Sequence, residues 1–416
     1  MNIAYSVALA MFYLGLAPVV GWQMLRRGKY RRGIGERLGA IPRWDGPAPL
    51  WLHAVSVGEA MAAAPLVRLL RTRRPDLPLL ISTTTETGRA VAEQRLGADR
   101  YLFFPLDFGW AVRRALDRTR PRAVLLTETE LWPNFLAACA RRNIPVIVVN
   151  GRISPRSFPR YRLIRGWFGH VLKNVRLFCM QSDEDAERVK ALGAPPERIR
   201  VTGNMKYDLP DQPVAVEEVR TSLGLEAAQR LLIAGSTHPS EEEAVLSAFQ
   251  GLVPGRRLVL LIAPRHPERL DEVERMVRRA GLPCIRRTQA GPPCPDGGVL
   301  LLDTMGELSR LYAAAEIVFI GGSLIPHGGQ NILEPAAYGR PVVHGPFMGN
   351  FAEIRERFAQ AGASREVTDA AGLQQTFTDL LNQPTLRERM GEAGRAIVLS
   401  QRGATARTAD LVETLL

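Results

Sequence analysis

The 416-residue chain carries one pattern twice. Short apolar runs alternate with helical stretches, and a polar, proline-bearing segment divides the two series. The first series of runs is Leu50–Val55, Leu77–Thr83, Tyr101–Phe104, Ala123–Thr127, Pro145–Asn150, Val175–Met180 and Ile199–Thr202, with helical stretches such as Gly58–Arg71 and Gly88–Leu96 between them. The second is Arg230–Ala234, Leu258–Ala263, Pro283–Arg286, Gly298–Leu302, Glu316–Ile320 and Pro341–His344, followed by a helical C-terminal part from about Gly372. Strands that alternate with helices build βαβ units and parallel sheets. The stretch 208–213, Asp-Leu-Pro-Asp-Gln-Pro, follows the turn signal Gly203-Asn204 and reads as a linker. The expectation is two open α/β domains of similar size that form a cleft. Their boundaries are 29–209 and 210–395, with 396–416 as a closing helix that packs back on the first domain.

Residues Ile3 to Leu25 contain no charged side chain. At about 1.5 Å per residue such a helix can cross a hydrocarbon core of about 30 Å. The positive charge comes after it, at Arg26, Arg27, Lys29, Arg31 and Arg32, whereas a cleavable signal peptide carries its charge before the apolar run. Residues 1–28 are therefore expected to form an uncleaved single-pass anchor in the inner membrane, with the rest of the chain on the cytoplasmic side. The competing reading is an amphipathic helix that lies on the membrane or packs on the domain.

Lys and Arg number 54 against 42 Asp and Glu, a formal net charge of +12. That balance implies an anionic partner: nucleic acid, a membrane surface or a phosphorylated substrate. The four cysteines form no C-x-x-C pair, which argues against a zinc ribbon or a disulfide scaffold. From Leu131 to Ser182 there is no acidic residue, while Arg141, Arg142, Arg152, Arg156, Arg160, Arg162, Arg165, Lys173 and Arg176 are interleaved with Phe158, Tyr161, Trp167 and Phe168. Such a surface suits anionic lipid headgroups and the aromatic interfacial zone. A solvated basic face with core aromatics is the alternative. Single-stranded nucleic acid uses the same residue types, but a membrane anchor argues against it.

Candidate chemistry sits at strand exits, the edge of an open α/β sheet that faces a ligand crevice. Glu59, in His53-Ala-Val-Ser-Val-Gly-Glu59, is either a general base for an attacking hydroxyl or an acid favoured by the helix dipole. Glu128 and Glu130 follow the fourth strand in Thr127-Glu-Thr-Glu-Leu-Trp-Pro-Asn134, and one of them can serve to cap the next helix. Lys206 begins the linker, either as a cation for a carboxylate or phosphate or as a surface lysine. In the second series the exits read Ala234-Gly-Ser-Thr-His-Pro-Ser-Glu241, Ala263-Pro-Arg-His-Pro-Glu-Arg269, Asp303-Thr-Met-Gly-Glu-Leu308 and 321–335, whose four glycines precede a helix. Free N–H groups, Arg265 and Glu334 fit phosphate and ribose there, and together the four exits mark a nucleotide cleft. No G-x-G-x-x-G follows either first strand, which counts against a dehydrogenase. Asp183-Glu-Asp185 has D-x-D spacing but reads as a helix start, and the histidines show no paired-ligand spacing, so no metal is expected.

The segments 53–59, 127–134, 203–206 (Gly-Asn-Met-Lys), 264–269, 303–308 and 321–335, in that order, resemble the Kdo transferases of Gram-negative lipopolysaccharide assembly. The resemblance implies two Rossmann-like domains facing each other across a cleft, the GT-B glycosyltransferase fold, behind an N-terminal membrane-anchor helix. It implies inverting transfer of 3-deoxy-D-manno-octulosonic acid (Kdo) from CMP-Kdo to a lipid A precursor, lipid IVA, at the inner membrane, with no cofactor, metal or nucleic acid. By the same resemblance Glu59 is the general base, and Glu128 and Lys206 stabilise the transition state. The nucleotide sites are Pro264, Arg265, Met305, Gly306, Glu307, Asn331, Ile332, Leu333 and Glu334. Gln330 departs from the family, which usually has His there. Arg152, Arg156 and Arg160 are the candidates for acceptor phosphates. Two rivals remain: a membrane-associated GT-B transferase using a UDP-sugar, and a non-catalytic module that binds anionic lipid.

Overall fold

The computed structural model describes residues 3–27, 33–209, 214–289 and 293–416. Contacts divide the chain into two units: Met1–Asp208 with Gln401–Leu416, and Leu209–Ser400. Part of the expected anchor and linker, namely residues 1–2, 28–32 (with Lys29, Arg31 and Arg32) and 210–213, lies outside the described residues.

The first unit holds a seven-stranded, all-parallel sheet in the order β3-β2-β1-β4-β5-β6-β7. Its strands are β1 (Leu50–His53), β2 (Leu79–Thr83), β3 (Arg100–Phe103), β4 (Ala123–Thr127), β5 (Val146–Gly151), β6 (Leu177–Met180) and β7 (Ile199–Val201). The central strands are buried along their whole length, as helices on both faces of a parallel sheet require. Two predicted strands lose their first residues for a covalent reason. Pro78 and Pro145 have no N–H for the ladder, so each contributes only a carbonyl, accepting from Leu50 and Val124. One face packs around Trp51, whose ring lies edge-on to Phe135 and whose Nε1 donates to Ser82 Oγ at 2.8 Å. The helix Ala404–Glu413 closes this unit. Arg73 pairs with Asp410, and Asp208 accepts from the backbone N–H of Gly403 and Thr405.

The second unit repeats the plan in the order β10-β11-β9-β8-β12-β13-β14, again all parallel. Its strands are β8 (Arg230–Thr237), β9 (Leu258–Pro264), β10 (Cys284–Arg286), β11 (Val299–Leu301), β12 (Ile317–Ile320), β13 (Val342–His344) and β14 (Ser364–Glu366). Strand order reverses between β1 and β4 in one sheet and between β8 and β12 in the other. These are the switch points at whose carboxyl edges α/β sheets bind ligands.

The N-terminal expectation needs correction. Ile3–Arg27 is one helix containing Pro18, but among the described residues no helix is long and apolar enough to cross a membrane. The single-pass anchor is therefore unsupported. One side of the helix packs on the first unit instead. Tyr5 stacks near Trp167 at 5.8 Å, Tyr13 lies 5.7 Å from Phe108, and Asn134 Nδ2 donates to Ser6 Oγ at 3.1 Å. Val7, Met11, Phe12, Leu14 and Trp22 remain exposed on it.

Candidate functional site

In the first unit, Glu59 stands in the first turn of the helix Val57–Arg73, directly after β1. Ser56 caps that helix by accepting from Glu59 N, and the Glu59 side chain turns back to the incoming strand, a variant of the capping box. Its Oε2 accepts from Val55 N and from Thr127 Oγ1, each at 2.8 Å, and its Oε1 accepts from Ser56 Oγ at 3.2 Å. Burial raises its pKa, the three donors pull it down, and the charge of Glu128 raises it further. The two sequence readings of Glu59 are thus compatible: it finishes the helix start, and it is a carboxylate poised at a strand exit.

Glu128 follows β4 with φ +53°, a left-handed conformation that costs a non-glycine residue on the order of 1–3 kcal/mol. Its N–H still reaches Val149 O, and its Oε1 lies 3.9 Å from Lys206 Nζ. Lys206 reaches this place through an amide chain at the next strand exits. Asn150, also left-handed, accepts from Met205 N at 2.9 Å, while Asn204 Nδ2 donates to Gln181 Oε1 and Gln181 Nε2 donates to Asn150 O. Three predicted residues from sequence positions 59, 128 and 206 therefore share one sheet edge. A fourth joins them: burial, and then the charges of Glu59 and Glu128, push Glu130 up to about 7.

The basic segment is corrected in part. Phe168 is buried in the core, and Phe158, Tyr161 and Trp167 pack against it, because the helices Phe158–Leu163 and Arg165–Leu172 need an apolar face to dock on the sheet. Those aromatics are structural. Arg141, Arg156, Arg160, Arg162, Arg165, Lys173 and Arg176 are exposed, and Leu163 and Ile164 are exposed between Arg162 and Arg165. Arg152 is half-buried, and Arg142 pairs with Asp117 at 2.7 Å. The D-x-D segment is a helix start: Ser182 caps Asp183–Ala191, and buried Asp185 accepts from Ile153 N at 2.8 Å.

In the second unit, Pro264 ends β9 and Arg265 is exposed just beyond it, its N–H bonded to Thr237 O. Met305 is 69% exposed and Gly306 has φ +89°. Glu307 accepts from Thr304 and lies 3.5 Å from Arg287. Asn331 braces the start of the short helix Leu333–Ala337: its Oδ1 accepts from Leu333 N and its Nδ2 donates to Glu334 Oε1, both at 3.1 Å. Ile332 and Leu333 are fully buried, so their side chains are out of reach of a ligand. Glu334 is raised by burial and lowered by bonds from Asn331 and Ser309, which links segment 331–334 to the helix after Glu307. Arg265 lies near His238, whose pKa its charge helps to lower.

Sequence reasoning assigned no role to Glu241. It is fully buried at the start of the helix Glu241–Gln250. Its Oε1 accepts from Ser323 N and Leu324 N, each at 2.9 Å, and its Oε2 from Gly322 N at 2.6 Å and His238 N at 3.0 Å. An internal carboxylate thus fills the N–H nest that the glycine-rich loop after β12 offers to an anion. Those N–H groups are occupied before any nucleotide arrives.

Residues 32–209 match the family described as 3-deoxy-D-manno-octulosonic-acid transferase (kdotransferase). The chain is 35% identical over 403 residues to the 3-deoxy-D-manno-octulosonic acid transferase of Haemophilus influenzae, covering 95% of this chain and 94% of that one. It is 37% identical over 439 residues to the enzyme of the same name from Bordetella pertussis, covering 99% of each. The fold resembles that of a UDP-GlcNAc 2-epimerase from Neisseria meningitidis, with a TM-score of 0.55 at 13% identity over 89% of this chain and 99% of that one.

Proposed function

The chain belongs to the 3-deoxy-D-manno-octulosonic acid (Kdo) transferases, a family of glycosyltransferases, and we propose that it moves Kdo from CMP-Kdo to a hydroxyl of lipid IVA by a metal-independent, inverting displacement. The observation that carries the mechanism is the Glu59 carboxylate, fixed by Thr127, Val55 and Ser56 at the carboxyl edge of the sheet. In a single displacement the acceptor oxygen bonds to the anomeric carbon as the bond from that carbon to the CMP phosphate breaks. The acceptor proton goes to Glu59 and the bonding pair leaves with CMP. Burial and the Glu128 charge make Glu59 a better proton acceptor than an exposed glutamate, and its three donors keep the carboxylate form populated. Lys206, held 3.9 Å from Glu128, supplies positive charge beside the reacting centre. In the second unit, Arg265 and the backbone around Met305–Glu307 and Asn331–Glu334 hold the nucleotide. A monophosphate leaving group accumulates little enough charge for a guanidinium and N–H groups to stabilise it.

The acceptor is acylated and anionic. Exposed Arg156 and Arg160, with Arg152 behind them, are suited to its phosphates. The exposed Val7, Met11, Phe12, Leu14 and Trp22 of the N-terminal helix suit the boundary of an anionic inner-membrane surface. The test is incubation of the purified protein with CMP-Kdo and lipid IVA, followed by mass spectrometry of the lipid, with CMP and UDP compared as competitors. A Kdo-bearing product and inhibition by CMP are expected. Inhibition by UDP alone would move the chain to another donor class.

A further inference from the structure

Three histidines converge in the second unit from three strand exits: His238 beyond β8, His266 beyond β9 and His327 in the loop after β12. The His238 ring lies 4.1 Å from the ring of His327 at 49°, and 5.4 Å from that of His266 at 75°. His238 is 3% exposed, and its Nε2 is buried without a hydrogen-bond partner. A buried ring nitrogen with no protein partner is costly in a native fold and calls for a partner from outside the chain.

The surroundings show what that partner is. A Cβ built on Gly322 would stand 3.5 Å from His238 Nε2 and 3.5 Å from Gln330 Nε2. Glycine, at φ +66°, leaves open a space that any side chain would fill, and two nitrogen-bearing side chains border it. Burial lowers the His238 pKa to about 4, with the charges of His327, His266, Arg265 and Arg269 acting in the same direction. At neutral pH the ring is therefore uncharged and offers one N–H. The backbone N–H groups of the loop wall do not compete for an incoming acceptor, because Glu241 already accepts from those of His238, Gly322, Ser323 and Leu324.

We propose that His238 Nε2 and the side-chain amide of Gln330 together receive an anionic oxygen of the sugar-nucleotide donor in the space beside Gly322. This rests on the reading of the chain as a CMP-Kdo transferase. The oxygen comes either from the nucleotide phosphate or from the sugar carboxylate, since both present a charged acceptor to paired donors. Entry moves the His327 ring off His238. His327 is exposed, and its segment continues into Gly328 and Gly329, both at positive φ. Gln330 thereby gains a role as a donor.

The experiment titrates wild type, His238→Ala and His238→Gln with CMP and with cytidine, and measures KM for CMP-Kdo. Thermal melting checks that each variant is folded. Loss of a charge-assisted hydrogen bond predicts a weakening of ~10-fold or more in His238→Ala. If the oxygen is the phosphate's, CMP affinity falls and cytidine affinity does not. If it is the carboxylate's, CMP affinity stays and KM for CMP-Kdo rises. The Gln variant, which restores an N–H near the Nε2 position, recovers part of the loss, which a merely structural histidine does not predict. Should His238→Ala fail to fold, Gln330→Leu, at a half-buried position, is expected to show the same selective loss. Wild type that binds no CMP defeats the donor assignment itself. Wild type that binds CMP, with folded variants unchanged in both measurements, overturns the proposal alone.

Discussion

Thr127, the last residue of β4, donates its hydroxyl to Glu59 Oε2 at 2.8 Å across 68 residues of sequence. The same hydroxyl also reaches His53 O at 2.9 Å, so it joins the ends of two paired strands to the carboxylate beyond them. Removal of that donor destabilises the ionised form of Glu59. Thr127→Val is expected to shift the acidic limb of the kcat/KM profile to higher pH, because a base must be deprotonated to act. Glu128→Gln is expected to shift it the other way, because the Glu128 charge raises the Glu59 pKa and its removal eases ionisation. An unmoved limb in both variants would remove Glu59 as the titrating base.

Lys206→Met removes the cation beside Glu128 and leaves the Asn150–Met205 bond in place. Its kcat should fall by ~10²-fold with CMP affinity unchanged, the scale for losing one electrostatic contact to a transition state. A fall confined to CMP affinity would contradict that role.

Glu241→Gln tests the carboxylate nest. A glutamine presents an NH2 group to N–H donors that now meet oxygen, and buried unpaired donors cost about 1–3 kcal/mol each. The variant is expected to unfold at lower urea, with CMP affinity weakened because the loop 321–324 is no longer held. Glu243→Gln, on the same helix turn but without those bonds, is the control. Equal effects from the two would defeat the claim.

Asp107 links the N-terminal helix to pH. It accepts from Asn134 N at 2.9 Å and Phe135 N at 2.7 Å and bonds Tyr5, while burial pushes its pKa from 3.8 up to about 7. An acid raised in the folded state holds its proton there after the unfolded chain has lost it. Stability from this group therefore falls as pH rises from about 4 to about 7. Asp107→Asn should flatten that part of the curve of urea-unfolding free energy against pH. An unchanged slope would show that Asp107 is not the group responsible.

The alternation of apolar runs was enough to locate thirteen of the fourteen strands among the described residues, because most of them are parallel strands buried on both faces, with no polar side to hide them. The exception, Ser364–Glu366, is an exposed edge of three polar residues with no apolar signal to read. Glu59, Glu128 and Lys206 were legible as strand exits, and the switch point explains why such exits converge. Glu241 was not. It is one of three consecutive glutamates, and only the fold, by bringing Gly322–Leu324 to it from 81 to 83 residues away, distinguishes it from its neighbours. The sequence left the N-terminal helix open between two readings for a related reason. Its apolar sequence is the same whether lipid or the side chains of Phe108 and Trp167 cover it, and the packing partners lie far along the chain.

The most direct measurement is the mass of lipid IVA after incubation with CMP-Kdo and either wild-type protein or Glu59→Gln, each first shown to bind CMP. Wild type should yield Kdo-bearing lipid, and Glu59→Gln should lose at least ~10²-fold in rate while CMP affinity is kept, the scale of a missing general base. Transfer at the wild-type rate by Glu59→Gln, or no Kdo on the lipid with either protein, would contradict the mechanism.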